Sequence, residues 1–463
     1  MKVSIRDLGV LKQADFEVGN LTVICGENNT GKTYATYALY GFLHYWNSNI
    51  DVEFIDAGEV DILLRQGKLS IEIGELNRDY GVSEVCTDVS HDFARIFGSS
   101  EKNFTNASIS VSSHEVASTS IDKTRSMRSS NGDSITLQVV KENLATKIDV
   151  HLKSISQESN GERNHSLYFP VNWLIKDALY DGIYPYPFIA SIERTGAAMF
   201  QKELDIRRNQ LLESINDKKN ASNAELFQAV KSSRYALPVK HDIDFNRDLE
   251  YRSKFESEIS KNNPKIVDFF NLCAGGQYVI TKEGTYFSPH TSKVRLTMGE
   301  SASSIRSLLN LGMFIKHIAK PGSLLMIDEP ELNLHPKNQR MIARLMAKLV
   351  NAGVRVYITT HSDYIIREFN TLIMLKSKGA AARRIMEKYG YNEDELLDVS
   401  DIKTYRARQE RIHVEGRKSK KLCNVITPAI VDEQGIEIDE LDDTIIKMNE
   451  MQDEIIFSEA KYD

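Results

Sequence analysis

The sequence has few cysteines and no long apolar stretch. Only four cysteines occur among 463 residues, at Cys25, Cys86, Cys273 and Cys423, and none forms a C-x-x-C pair. This spacing argues against a disulfide framework and against a zinc ribbon. No apolar run reaches the roughly 18–20 residues of a membrane helix, and the N-terminus does not read as a signal peptide. We therefore expect a cytoplasmic protein without membrane contact.

An excess of positive charge is also missing. The formal net charge is −7, so the chain as a whole does not attract nucleic acid or anionic lipid. Hydrophobic residues at 41% and charged residues at 27% are typical of a soluble globular protein. The length predicts two or three structural units.

The pattern of apolar and polar residues changes along the chain. Between about residues 50 and 190, the short alternating runs SISV, SITLQVV and KIDVHL are separated by segments rich in Ser, Asn and Gly. These runs predict antiparallel strands. Leu204, Leu211 and Ile215 recur at helical spacing among charges, and Leu249, Phe255 and Ile259 do so further on, which predicts a helical hairpin projecting from the body. The predicted units are an N-terminal head lobe (1–50), a β-rich lobe (51–190), the helical hairpin (191–265), a C-terminal head lobe (266–400), and C-terminal strands with a terminal helix (401–463).

Residues 26–33 read GENNTGKT and match the pattern G-x-x-x-x-G-K-[ST]. The pattern follows an apolar strand and opens a helix, which is the context that a phosphate-binding loop requires. The glycines let successive backbone N–H groups face phosphate oxygens, Lys32 adds a charge for the β- and γ-phosphates, and the Thr33 hydroxyl reaches Mg²⁺. The sequence thus predicts ATP and Mg²⁺ as cofactors, with nucleotide contacts from Gly26, Asn28, Asn29, Thr30, Gly31, Lys32 and Thr33.

A second apolar strand ends in two acids. Residues 324–330 read LLMIDEP, so Asp328 and Glu329 follow the strand directly. Asp328 is predicted to hold Mg²⁺ through water, beside Thr33. Glu329 is predicted to orient or deprotonate the attacking water.

Longer stretches resemble a known family. LLMIDEPELNLHP (324–336) and VYITTHSDYIIREF (356–369) are similar to the ABC ATPase cassette of the Rad50, SMC, RecF and OLD group. The sequence is most similar to the OLD-like (AAA15/AAA21) ATPases. IASIERTG (189–196) resembles their "PAERSG" segment, and SSIRSL (303–308) resembles their "SSG-x-x-SL" signature. The resemblance covers residues 1–45 and about 185–375.

The resemblance implies an α/β fold, namely an ABC-type P-loop ATPase head with an antiparallel β lobe, a β-rich insertion and a short helical hairpin insertion. It implies a homodimer or a higher even-numbered homo-oligomer through the heads, in which the facing head contributes Ser303 and Ser304 to the nucleotide. His361 stands at the position of the switch histidine, next to the γ-phosphate. Ser304 replaces the family's glycine, and an ordinary serine-capped helix is the alternative interpretation of this segment.

The output chemistry is predicted to lie in another chain. OLD-type nucleases carry a D-x-D pair after the ATPase, whereas the D-x-D here, Asp242-Ile243-Asp244, precedes Asp328 and is interpreted as a solvated turn. The resemblance to stand-alone ATPases of the PARIS, Septu and retron systems implies a sensor or scaffold that controls a separate nuclease or toxin in bacterial anti-phage defence.

The sequence is also compatible with two other functions. One is a RecF-like DNA-repair ATPase, because the segment 403–421 is basic and could contact nucleic acid, although a solvated β-hairpin fits it equally. The other is a binding module that uses ATP without hydrolysing it. The apolar side of the terminal helix, with Leu441, Ile445, Met448 and Ile455, packs either on its own head or on a partner.

Overall fold

A computed structural model of the chain describes residues 1–48, 54–72, 81–112, 120–128, 134–142, 145–156, 165–201, 203, 206, 235–413, 419–437 and 439–458. Leu204, Leu211 and Ile215 of the predicted hairpin lie outside the described residues.

The strands of the described residues are β1 (Lys2–Leu8), β2 (Leu11–Glu17), β3 (Leu21–Gly26), β4 (Lys68–Glu72), β5 (Ser108–Ser112), β6 (Ile121–Arg128), β7 (Ser134–Lys141), β8 (Lys147–Ser156), β9 (Pro187–Ala190), β10 (Gly276–Thr281), β11 (Gly284–Pro289), β12 (Leu296–Thr297), β13 (Leu324–Asp328), β14 (Arg355–Thr360), β15 (Ile402–Ile412), β16 (Lys421–Pro428), β17 (Val431–Asp432) and β18 (Gly435–Ile436).

The α-helices are α1 (Lys32–Ser48), α2 (Ala57–Gln66), α3 (Val82–His91), α4 (Phe93–Ile96), α5 (His165–Tyr180), α6 (Arg194–Met199), α7 (Leu237–Arg247), α8 (Leu249–Arg252), α9 (Glu258–Asn262), α10 (Pro264–Ala274), α11 (Ser303–His317), α12 (Pro336–Asn351), α13 (Asp363–Lys378), α14 (Arg383–Tyr389) and α15 (Asp439–Ser458). None of these helices is long and apolar enough to cross a membrane, as far as the described residues extend.

A nine-stranded mixed sheet forms the centre of the fold, in the order β5-β1-β2-β16-β15-β3-β14-β13-β9. The strands from β15 to β9 run parallel, whereas β1 pairs antiparallel with both β2 and β5. The predicted α/β class, a head with an antiparallel lobe, is confirmed. Two strands from the predicted C-terminal unit, β15 and β16, lie inside this sheet.

Two apolar cores cover the two faces of the sheet. In β3, Ile24 packs into one core, while Val23 and Cys25 pack into the other. In β13, Met326 and Ile327 divide in the same way. This double burial explains why both strands are continuously apolar rather than alternating.

A four-stranded antiparallel sheet, in the order β4-β8-β7-β6, lies within residues 68–156. The runs SITLQVV and KIDVHL pair with each other there, as the alternation predicts. The run SISV instead pairs with β1 at the edge of the main sheet. The region also contains helices α2 to α5, which the alternating runs did not predict.

The second half of the predicted hairpin does not form a projecting arm. Residues 237–262 fold into three short helices, α7, α8 and α9. Leu249 and Ile259 are only 2% and 1% exposed because they pack into the core that also contains α11. Of the three apolar residues cited for this half, Phe255 alone is exposed.

Candidate functional site

The loop between β3 and α1 has a backbone that requires glycine. Gly26 has φ +141°, and a Cβ there would lie 2.0 Å from the carbonyl oxygen of Ala407. Gly31 has φ +99°, and its Cβ would lie 2.9 Å from Cβ of Leu11. Asn29 also has a positive φ, of 62°. These left-handed residues curl the chain, and a loop curled in this way lets successive backbone N–H groups face an anion.

Lys32 opens α1 and folds back over this loop. Its Nζ donates to the carbonyl oxygens of Gly26 at 2.8 Å and Glu27 at 2.7 Å, and the residue is only 6% exposed. Burial lowers the pKa of Lys32, while the nearby carboxylates of Glu329 and Asp328 act to raise it. Among the other predicted contacts, Asn28 and Asn29 are exposed and Thr30 is buried.

Asp328 lies at the carboxyl end of β13, one strand away from β3. Its Oδ1 accepts a hydrogen bond from the Thr359 hydroxyl. Burial raises the pKa of Asp328, and the hydroxyls of Thr359 and Thr33 act to lower it. Oδ2 is buried and accepts no hydrogen bond from the described residues. An orphaned carboxylate oxygen beside a threonine hydroxyl is a donor set that suits Mg²⁺, which prefers hard oxygen ligands.

Glu329 adopts a strained backbone conformation. Its φ is +52°, although it is not glycine and precedes Pro330, which disfavours helical backbone angles. Its N–H donates to the carbonyl oxygen of Thr359 at 3.1 Å. Its Oε1 lies 3.7 Å from Nδ1 of His361, so the two predicted catalytic side chains are neighbours.

Glu331 is a further site residue, which the sequence analysis missed. Its Oε1 accepts from the Thr360 hydroxyl and from the backbone N–H of His361, both at 2.8 Å. The same oxygen lies 3.3 Å from Nδ1 of His361, and its side chain is 5% exposed. The carboxylate therefore fixes the end of β14 and the histidine that follows. The sequence signal that could have indicated this residue is a second acid two positions after Glu329.

Hydrogen bonds connect the segment 191–194 to helices α1 and α7, and through α7 to α11. The Tyr37 hydroxyl of α1 donates to Glu193 at 3.0 Å. The Ser191 N–H donates to Asp242 of α7 at 2.9 Å, and the Asn310 amide of α11 donates to the same carboxylate at 2.6 Å. The prediction of a solvated turn at Asp242 is therefore wrong. This residue lies inside a helix at 1% exposure, where it links the Ser191 backbone to the Asn310 side chain.

Asp242 predicts a pH-dependent stability. Burial raises its pKa from 3.8 to about 7, so the folded state keeps a proton that the unfolded state releases. The stability from this group is complete below the unfolded pKa and is lost as pH rises towards the folded pKa. We expect the contribution of Asp242 to lower the wild-type Tm as pH rises from about 4 to about 7, and Asp242→Asn to flatten that fall. Thermal unfolding at several pH values measures this.

Asparagine is a suitable replacement, because its oxygen can still accept from the Ser191 N–H. Its amide can donate to Oδ1 of Asn310, which is buried without a partner among the described residues. Equal pH slopes in the wild type and the variant would contradict the assignment.

Ser303 and Ser304 lie at the first turn of α11. Ser303 is exposed and Ser304 half-buried, and neither is hydrogen-bonded to the loop 26–33 within the described part of the chain. The N-cap is Ala302, without a side-chain cap. The alternative of a serine-capped helix is therefore wrong, and no side chain among the described residues caps the first N–H groups of α11.

The chain is similar to a known protein family and to solved structures. The model of the AAA_15 family, described as an AAA ATPase domain, matches residues 1–366. The SMC head domain from Thermotoga maritima is similar at 11% identity and TM-score 0.31, over 93% of this chain and 98% of that one. A Smc head bound to the C-winged helix domain of ScpA is similar at 12% identity and TM-score 0.29, over 79% and 90%. No curated protein matches the chain.

Proposed function

The chain belongs to the AAA_15 family of AAA ATPase domains, and we propose that it binds ATP with Mg²⁺ on loop 26–33 and hydrolyses it at Glu329. One observation carries this proposal. The parallel strands β3, β14 and β13 end at the same edge of the sheet. Asp328 is the last residue of β13, His361 directly follows β14, and Lys32 opens the helix after the loop that follows β3. The proposed phosphate-binding loop after β3 and the acids Asp328 and Glu329 at the end of β13 are thus separated by one strand, β14.

Each side chain has a distinct part in this proposal. Lys32 places its charge on the β- and γ-phosphates, and Glu329 accepts the proton of the attacking water. His361, which is 43% exposed at its side chain, contacts the γ-phosphate. Thr33 and Asp328 would hold Mg²⁺, which neutralises charge on the phosphate oxygens when bound.

We further propose that two copies complete the site, as a homodimer or a higher even-numbered oligomer. The exposed Ser303 and the uncapped N–H groups of α11 support this, because a helix N-terminus favours an anion such as the γ-phosphate of a facing head. Ser304 retains these backbone donors without the family's glycine.

The proposed biological role is control of a separate effector, a nuclease or toxin, in anti-phage defence. It is supported by the resemblance of IERTG and DEPELNLHP to the stand-alone OLD-like ATPases. A candidate partner surface is α15, on which Met448, Met451 and Ile456 are 51%, 55% and 64% exposed. Exposed apolar side chains at this density favour a protein contact.

A nucleic-acid role at the basic segment is less well supported. On β15, Arg408 pairs with Glu410 at 3.1 Å, and Lys403 lies 3.7 Å from Glu17. Arg417 and Lys418 lie outside the described residues. These ion pairs reduce the charge that β15 offers to phosphates.

We expect His361→Ala to lower kcat by about 10-fold while ATP affinity is retained, because the histidine acts near the transferred phosphoryl group. Steady-state hydrolysis with Mg²⁺ and fluorescent-ATP binding measure the two quantities. His290→Ala, at a histidine bonded to the Asn271 carbonyl elsewhere in the fold, is the control. Loss of affinity in proportion to kcat would show that His361 is structural, and a wild type without Mg²⁺-dependent hydrolysis would overturn the proposed activity.

A further inference from the structure

Arg194 is a buried cation whose hydrogen bonds to the described residues all go to backbone carbonyls. It begins α6 and is 2% exposed. Nε donates to Ser307 at 3.0 Å, and Nη1 donates to Ser191 and Asp328, both at 2.7 Å. Nη2 donates to Glu329 at 2.6 Å. One rigid, planar group therefore joins three segments that are distant in sequence.

Two of these bonds hold the turn that carries Glu329. The guanidinium binds the carbonyl oxygens of two successive residues, Asp328 and Glu329, across the residue with φ +52°. A left-handed residue before proline is unfavourable by itself and persists only where the surroundings fix it. The bonds from Arg194, together with the bond from the Glu329 N–H to Thr359, supply that constraint and thereby position the Glu329 carboxylate.

The bond to Ser307 reaches α11, the helix that begins with Ser303 and Ser304. Ser307 lies four residues after Ser303 on α11, so its carbonyl moves with the N-terminus of that helix. Asp242 ties the same helix to Ser191 through Asn310, which prevents the segment 191–194 from moving independently of α11.

We propose that Arg194 is a positioning residue that couples α11 to Glu329, so that engagement of Ser303 and Ser304 by a facing copy sets the position of Glu329 for hydrolysis. The inference rests on the proposed function. It adds that hydrolysis depends on assembly through one side chain that touches neither nucleotide nor water. Lysine at this position keeps the charge but lacks the fork that binds several carbonyls at once.

The test compares Arg194→Lys and Arg194→Met with Arg344→Lys. Arg344 on α12 is a matched control. Its guanidinium is largely buried and binds the Gly390 carbonyl and Glu395, away from Asp328 and Glu329. We expect Arg194→Lys to lower kcat by about 100-fold with ATP affinity unchanged, since a small displacement of a catalytic group has an effect of this order. We expect Arg194→Met to be slower still and Arg344→Lys to hydrolyse ATP as the wild type does.

The two proposals fail separately. A wild type that neither binds nor hydrolyses ATP contradicts the proposed function. An active wild type with an equally active Arg194→Lys overturns only the coupling, as does a variant that loses affinity and kcat in proportion, because that pattern indicates a merely structural role.

A measurement on the wild type keeps the coupling testable if the variants do not fold. Hydrogen–deuterium exchange with Mg²⁺ and a non-hydrolysable ATP analogue is followed at increasing protein concentration. Coupling predicts that residues 303–308 and 326–332 gain protection together. Protection of 303–308 alone would overturn it.

Discussion

Lys32→Ala is expected to abolish ATP binding at micromolar nucleotide. Lys32 is buried at the start of α1 and its Nζ lies over the loop carbonyls, so alanine leaves the phosphates without their point charge. Loss of one buried charged partner has an effect of about 3 kcal/mol, which corresponds to an approximately 100-fold weaker Kd. Isothermal titration with Mg·ATP measures the change.

Lys176→Ala is the matched control for this variant. Lys176 is also a buried lysine that donates to a backbone carbonyl, that of Trp46, but it lies on α5 outside the loop. We expect its removal to affect the melting temperature and to leave the Kd for ATP unchanged. Similar Kd values for wild type and Lys32→Ala would place the nucleotide elsewhere.

Glu329→Gln is expected to lower kcat by a factor of about 100 to 1000 while ATP still binds, because a general base contributes on this scale. Glutamine keeps the shape of the side chain, and the backbone bonds from Arg194 and to Thr359 do not involve the carboxylate. Single-turnover hydrolysis with Mg·ATP measures the chemical step directly.

Glu331→Gln separates the two acids next to His361. The glutamine oxygen can still accept from the Thr360 hydroxyl and the His361 N–H, so we expect a decrease in kcat of no more than about 10-fold. A large loss in Glu331→Gln together with an active Glu329→Gln would exchange the roles of the two glutamates.

The α/β class was predictable from the sequence because its strands and loops obey local rules. The apolar runs at 21–25 and 324–327 indicate doubly covered strands, and the glycines at 26 and 31 lie where positive φ is required. The strand ends and the family resemblance together predicted that the phosphate loop, the acids and His361 lie near one another, and the structure has them at one edge of the sheet. Their roles stay predictions.

The remaining parts depend on contacts between distant residues. No periodicity predicts that β15 lies beside β3, because strand order is set by packing and not by local pattern. Asp242 was misinterpreted since its partners, Ser191 and Asn310, lie 51 and 68 residues away. Arg194 gains its part in the site from backbone carbonyls of distant segments, and no local pattern predicts those contacts.

Sedimentation of Glu329→Gln with and without Mg·ATP tests most directly the claim that ATP is bound between two heads. With hydrolysis slowed, the account predicts that Mg·ATP shifts the protein to a larger species, and more so at higher protein concentration. The double variant Lys32→Ala/Glu329→Gln, which lacks the phosphate charge, is expected to show no shift. Identical sedimentation of Glu329→Gln with and without Mg·ATP, under conditions where titration shows ATP bound, would contradict the claim.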